Sequence, residues 1–207
     1  MAVLAALGSP PPEASVAAAL QALDDGQVVA IPTDTVYGLA VDPFRPGAAD
    51  RLFALKRRPR TVDLPVLVAG ADQALAVATG VPVVAATLMD RYWPGPLTLV
   101  VPRRPDVAAD LGDDEATVGV RCPDHEVPLA LCRRRGPLAT TSANLHRQPT
   151  LTTAVEVDAA LGESVAVVLD GGPCTGEPST VVDCTGEEAK CLREGRIPWA
   201  EIEGALG

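Results

Sequence analysis

Four cations stand within five residues, at Lys56, Arg57, Arg58 and Arg60, in a chain whose formal net charge is -10. Lysine is otherwise scarce, with Lys190 the only other one among seventeen basic residues. The cluster falls between an apolar run with helical spacing and a β-like run. Two readings are open on this local evidence: a fixed anion site, or a solvated helix end whose dipole favours cations. Further along, short polar residues and cations recur where apolar runs end: Thr33 and Thr35, Thr117 and Arg121, Ser142 and Asn144, Ser179, and Arg193. Gathered in one place, these side chains would bind a polyphosphate and a carboxylate. Guanidinium forks match planar anions, a lysine supplies a point charge, and hydroxyls and an amide supply neutral partners. No histidine or carboxylate pair stands out as a general base. The chemistry would therefore rest on positioning and charge stabilisation, as in phosphoryl or nucleotidyl transfer. Familiar alternatives are missing: no Gly-x-x-x-x-Gly-Lys-Ser/Thr, no Gly-x-Gly-x-x-Gly and no Gly-x-Ser-x-Gly occurs.

Elements able to position these residues can be read from apolar spacing. Helices are expected over Glu13–Asp25, Gly47–Leu55, Asp72–Ala78, Val83–Tyr92, Val127–Cys132, Thr152–Leu161 and Pro198–Leu206. Strands are expected over Val28–Ile31, Pro65–Val68, Leu97–Val101, Ala116–Cys122, Leu138–Thr141, Val165–Leu169, Ser179–Cys184 and Ala189–Arg193. Residues 1–12 read as a loose start, and 13–207 as one domain. Pro32–Leu39 reads as a ligand loop at a strand's C-terminal end, where open α/β sheets bind ligands. Trp93 reads as a packing anchor, and Arg133, Arg134 and Arg135 as a solvated helix end favoured by its dipole. The alternation of strands and helices points to an α/β fold with a mixed sheet.

Composition narrows the class. The chain has 207 residues, 47% of them hydrophobic and 3% aromatic, so its core must be built from Ala, Val and Leu. No apolar run is long enough for a membrane span, and the N-terminus has no cationic leader, so a cytoplasmic protein is expected. Five cysteines without Cys-x-x-Cys spacing, and two histidines, disfavour a disulfide framework or a metal site. From Glu156 onwards, eleven acidic residues face Lys190, Arg193 and Arg196. The preceding part is thus nearly neutral and can carry a basic face, although the net charge argues against a large nucleic-acid footprint.

Taken in order, Pro32-Thr33-Asp34-Thr35-Val36-Tyr37-Gly38-Leu39, Lys56-x-Arg58-Pro59, Trp93-Pro94-Gly95-Pro96-Leu97-Thr98, Arg121-x-Pro123, Thr141-Ser142-Ala143-Asn144, Ser179-Thr180-Val181-Val182-Asp183 and Arg193-Glu194-Gly195 resemble the YrdC/Sua5 family of threonylcarbamoyl-AMP synthases, in its short, single-domain form. The resemblance implies a single α/β domain: a twisted, open, mixed sheet with flanking helices around a positively charged cavity. It implies that L-threonine, bicarbonate or CO2, and ATP give threonylcarbamoyl-AMP, pyrophosphate and water, with Mg²⁺ on the phosphates. Separate threonylcarbamoyl-transferase proteins would pass the product to adenosine 37 of ANN-decoding tRNAs. Carried over residue by residue, Thr35, Arg121 and Ser179 would contact L-threonine, with Arg121 taking its carboxylate and Thr33 shaping the turn. Lys56 and Arg58 would hold phosphates and the developing charge, and Thr117, Ser142, Asn144 and Arg193 would contact the nucleotide. Arg57 and Arg60 have no counterpart and are expected at the rim or in solvent. His146-Arg147 replaces the family's usual Ser-Gly. Ala69 stands where many longer members carry a histidine. Two competing readings share the fold: a carbamoyltransferase module, and a non-catalytic binder of double-stranded RNA or the ribosome.

Overall fold

The computed structural model describes residues 2–144 and 148–206. Ten strands form one mixed sheet in the order β1-β8-β2-β3-β7-β4-β6-β5-β9-β10. They are β1 (Ala2–Ala5), β2 (Val29–Ile31), β3 (Gly38–Val41), β4 (Val66–Leu67), β5 (Leu97–Pro102), β6 (Thr117–Arg121), β7 (Leu138–Ser142), β8 (Val167–Asp170), β9 (Thr180–Asp183) and β10 (Lys190–Arg193). Seven α-helices accompany them among the described residues: α1 (Glu13–Asp24), α2 (Ala48–Lys56), α3 (Ala71–Ala74), α4 (Val83–Tyr92), α5 (Glu126–Arg135), α6 (Ala154–Leu161) and α7 (Trp199–Gly204). The expected single α/β domain with a mixed sheet is what the chain forms.

Alternation along the strands divides the apolar side chains between two buried clusters. Val29 and Ile31 of β2, Ala40 of β3 and Val167 and Leu169 of β8 pack with α1 and α5 on one face. Ala30, Leu39 and Val168, one residue out of phase, join the larger cluster on the other face, with side chains of α2, α4 and α6. In β5 and β6 the residues Leu97, Leu99, Val101, Val118 and Val120 all belong to that larger cluster. Their out-of-phase neighbours Thr98, Val100, Thr117, Gly119 and Arg121 line an open cavity, which Val118 also borders. The functional space is thus the part of the α1/α5 face that those helices leave bare.

Two expectations are corrected. The N-terminal residues are not loose throughout, because Ala2–Ala5 is an edge strand paired in parallel with Val167–Asp170. Its partner lies far along the chain, so only tertiary pairing could disclose it. Likewise Pro32–Leu39 is not all loop. Gly38–Val41 turns back as β3, antiparallel to β2 and to β7. The remaining expected elements are present, with shorter bounds at several ends.

Three groups of cations are fasteners. Arg60 makes ion pairs with Asp50 (2.7 Å), Asp110 and Asp113 (3.6 Å), and its guanidinium sits 4.8 Å from the Phe53 ring centre. Arg134 reaches Glu13 at 2.6 Å, tying α5 to α1. Arg135 reaches Asp24 at 3.2 Å and the buried Asp42. Arg134 and Arg135 are exposed in the last turn of α5, as expected of them, and Arg60 is half-buried; what the sequence does not show is that their partners come from other segments.

Candidate active site

The cavity has a volume of about 490 Å³. Of the residues singled out in sequence, Thr33, Thr35, Arg58, Thr117, Arg121, Ser142, Ser179 and Arg193 line it, while Lys56 and Asn144 are not lining residues and bond to Ser142, which is. Thr98, Thr140, Thr141 and Thr150 add hydroxyl-bearing residues, and Asp63 a carboxylate. Sequence reading missed Thr98, Thr140 and Thr141 because threonine is an ordinary strand residue whose facing depends on register, and Asp63 and Thr150 because they lie in irregular segments with no pattern of their own.

One end is built on the turn between β2 and β3. The Thr33 hydroxyl donates to Val36 O (2.7 Å) and accepts from the backbone N–H groups of Thr35 (3.1 Å) and Val36 (3.2 Å). This folds the turn on itself and leaves the Thr35 hydroxyl facing β6. There Arg121, buried at the end of the strand, donates to Gly95 O (3.0 Å), the Thr35 hydroxyl (3.0 Å) and an Asp34 carboxylate oxygen (2.6 Å). Burial pulls the Arg121 pKa down and Asp34 opposes that pull. The arginine stays charged throughout the ordinary pH range. Three of its five N–H donors are used, so one remains on each terminal nitrogen. Asp34 itself was passed over in sequence. The other Asp34 carboxylate oxygen is buried without a hydrogen-bond partner among the described residues.

Next to this end lies Ser179, whose hydroxyl is 2.9 Å from that of Thr98. Arg193 arches over from β10 to donate to Ser179 O (2.7 Å) and its hydroxyl (3.2 Å). The glycine of Arg193-Glu194-Gly195 has a steric reason. A Cβ there would lie 2.3 Å from Pro178 O and 2.6 Å from Ser179 O, so only glycine lets the two segments meet.

The opposite end is the cationic cluster. α2 ends at Lys56, and Arg57 adopts the left-handed conformation (φ 49°) with its N–H bonded to Ala54 O, followed by Arg58 N–H to Phe53 O. That closure sends the buried Lys56 under β7, where its ammonium donates to Ser142 O (2.7 Å), Asn144 Oδ1 (2.6 Å) and Asn144 O. Burial and the neighbouring Arg58 charge lower its pKa to about 8. Asn144 Oδ1 also accepts from the Ser142 hydroxyl at 2.7 Å. Lys56 thus braces the loop that carries Ser142 and Asn144 into the site. Arg58 lies on the wall itself and donates to Val62 O (2.6 Å) and Asp63 O (2.7 Å). Among the described residues it has no ion pair. The Thr117 hydroxyl donates to Asp114. The His146-Arg147 departure lies outside the described residues.

Cysteine chemistry is disfavoured: burial raises the thiol of Cys122 to about 11 and that of Cys184 to about 12, far from thiolate formation. Among the described residues no group of three or more His, Cys, Asp or Glu side chains could hold a metal ion. A second cavity, of about 630 Å³, lies by α3, α4 and α5 and includes Trp93. Trp93 is half-buried against the core and donates from its indole to Leu97 O at 2.8 Å, the anchoring role expected of it. No described helix is long and apolar enough to cross a membrane.

The Sua5/YciO/YrdC family, described as Telomere recombination, matches residues 21–195. A Mycobacterium tuberculosis relative, named provisionally as a threonylcarbamoyl-AMP synthase, is 38% identical over 93% of this chain and 89% of its own length. The threonylcarbamoyl-AMP synthase of Bacillus subtilis is 40% identical over 95% of this chain and 57% of its own length. The crystal structure of Pyrococcus abyssi Sua5 complexed with L-threonine superposes on the whole chain with a TM-score of 0.91 at 33% identity, this chain covering 61% of it. The chain therefore spans less than two thirds of those last two relatives. It belongs to the Sua5/YciO/YrdC family.

Proposed function

We propose that this chain is a threonylcarbamoyl-AMP synthase. It would join L-threonine, bicarbonate or CO2, and ATP into threonylcarbamoyl-AMP, releasing pyrophosphate and water. The observation that carries this reading is the convergence of Arg58, Arg121 and Arg193 with the hydroxyls of Thr35, Ser142 and Ser179 on one 490 Å³ cavity, in a family whose relatives bear that name. A site of this size and donor set suits an amino acid and a nucleotide together.

In this reading the free N–H donors of Arg121 take the threonine carboxylate, with the Thr35 and Ser179 hydroxyls around the rest of the amino acid. Bicarbonate gives up water to become CO2, to which the threonine amine adds with loss of a proton to give a carbamate. A carbamate oxygen then attacks the α-phosphorus of ATP, and the bond to pyrophosphate breaks. Arg58, with Lys56 behind it, meets the charge that builds on the phosphates. Thr117, Ser142, Asn144 and Arg193 hold the nucleotide. The donor set fits a magnesium ion that arrives on the triphosphate, since Mg²⁺ keeps several waters and needs few protein carboxylates. Asp63 would be the carboxylate offered to it. Bound there, the ion would neutralise phosphate charge. The reaction class is nucleotidyl transfer. Its product would be consumed by separate proteins that modify adenosine 37 of ANN-decoding tRNAs, in the cytoplasm.

The test is pyrophosphate release from ATP, with L-threonine and bicarbonate omitted in turn. Release is expected only when both are present, and should be lost in Lys56→Ala and Arg58→Ala. Release that ignores either substrate would sink the reading. So would no release together with steeply salt-dependent duplex-RNA binding, which would favour the RNA-binding alternative.

A further inference from the structure

Strand β6 presents Thr117, Gly119 and Arg121 to the cavity floor, every second residue. Arg121 marks the carboxylate end and Thr117 the nucleotide end, so Gly119 lies midway. Its cross-strand partner on β5 is Val100, also on the floor, and Pro65 flanks it from the other side.

Nothing in the protein itself demands glycine at this point. The residue is in a regular strand and is absent from the glycines with positive φ. A Cβ would meet Pro65 Cβ at 3.4 Å and Thr98 Cγ2 at 3.5 Å, which are ordinary contacts. Four other glycines behave differently, among them Gly171, where a Cβ would lie 2.7 Å from Pro32 Cγ. A Cβ would come within 2.4 Å of Tyr92 O at Gly95, 1.9 Å of an Asp63 carboxylate oxygen at Gly112 and 2.3 Å of Pro178 O at Gly195. Those are required by packing. Glycine inside a strand costs stability and frequently marks a place where a ligand approaches the backbone closely.

We infer that Gly119 determines how closely the two substrates approach. Its missing side chain leaves a depression at the centre of the floor, where the carbamate meets the α-phosphoryl group. This inference rests on the synthase reading above. A methyl group there would lift the reacting junction by about a bond length, leaving each end's own contacts in place.

The experiment compares wild type with Gly119→Ala and Gly119→Val. Folding is followed by thermal melts, L-threonine binding by calorimetry with and without AMPCPP, the α,β-methylene analogue of ATP whose α–β bridge cannot be cleaved, and turnover by pyrophosphate release. Gly119→Ala is expected to melt at or above the wild-type temperature. Its kcat should fall about 100-fold while the threonine Kd measured without nucleotide stays within about twofold, because positioning and not binding is lost. AMPCPP should weaken threonine binding to the variant about tenfold and leave wild type unaffected, since the two ligands would then compete for the same space. Gly119→Val should deepen each effect. If wild type turns over and Gly119→Ala matches its kcat within about threefold, the inference fails alone. It also fails alone if threonine affinity without nucleotide falls in parallel with kcat. If wild type releases no pyrophosphate, the synthase reading fails and takes this inference with it.

Discussion

Arg121 and Arg58 both present a guanidinium to the same cavity, but the protein treats them differently. Arg121 is buried at the end of a strand, paired with Asp34 at 2.6 Å and bonded to Thr35 and Gly95. Arg58 hangs from a turn, bonded only to the carbonyls of Val62 and Asp63. One charge is cancelled within the protein; the other has no ion pair among the described residues and only the field of the nearby Asp63 carboxylate to offset it. A neutralised, rigid fork suits selective orientation of a small carboxylate, because it adds shape without much net field. A partly desolvated cation without an ion pair suits an anion of high charge, whose arrival supplies the missing counter-charge. The cavity is therefore polarised, with an orienting end and a charge-stabilising end.

Arg121→Ala should have the largest effect on the fold. It strands Asp34, one of whose oxygens already lacks a partner among the described residues, and breaking a buried pair by removing one member costs about 3–5 kcal/mol. Urea unfolding checks this, and turnover should vanish as well. A loss below about 1 kcal/mol would show that the pair is not the buried clamp described here.

Arg58→Ala is the converse. Turnover should fall about 100- to 1,000-fold, as for loss of a donor aimed at developing charge. Stability should change by less than about 1 kcal/mol, because only loop carbonyls lose a partner and they can reach water. If both variants lose stability equally, the two ends are not different in kind.

Lys56 gives the polarised cavity a pH signature. Its pKa of about 8 means that the ammonium discharges just above neutrality. ATP affinity should therefore fall as pH rises through about 8 to 9, by about tenfold for the loss of one close charge. In Lys56→Arg the fall should disappear, since arginine stays charged there. Stability moves in the opposite sense. A lysine with a native pKa below its ordinary 10.5 is penalised while charged, so the cost is present below about pH 8 and is relieved between about 8 and 10.5. A pH-independent ATP Kd from 7 to 9 would remove Lys56 from the charge-stabilising end.

This polarity was only half legible in the sequence. Cations that stand out against a net charge of -10, and polar residues where apolar runs stop, pointed to Lys56, Arg58, Arg121 and Arg193 without any structure. What separates them is their partners. Asp34 reads locally as a turn residue, and its pairing with Arg121, 87 positions away, exists only in the folded chain. The same limit hid β1, whose partner is β8, and the clamps of Arg60 and Arg135, which close on carboxylates from other segments. The alternation of β5 and β6 was readable, but which phase faces the cavity depends on where α1 and α5 end. Thr98 was therefore missed, as was Thr140 on β7, while Thr117 and Arg121 were found.

The smallest effect concerns the turn that holds Arg58. Arg57 has the only positive φ of any non-glycine residue described, at 49°, and its side chain is exposed. A left-handed residue with a Cβ costs about 1–2 kcal/mol, and glycine is the residue best suited to this place after a helix. Against that gain, glycine loses more backbone entropy on folding. Arg57→Gly should therefore stabilise the chain by about 0.5–1 kcal/mol, read as a shift in the urea midpoint at constant m. ATP turnover should stay at the wild-type rate, because the bond from Arg58 N–H to Phe53 O already fixes where Arg58 leaves the helix. If turnover drops with the gain in stability, the exposed Arg57 charge contributes to the field at the charge-stabilising end, and that end extends beyond the cavity wall.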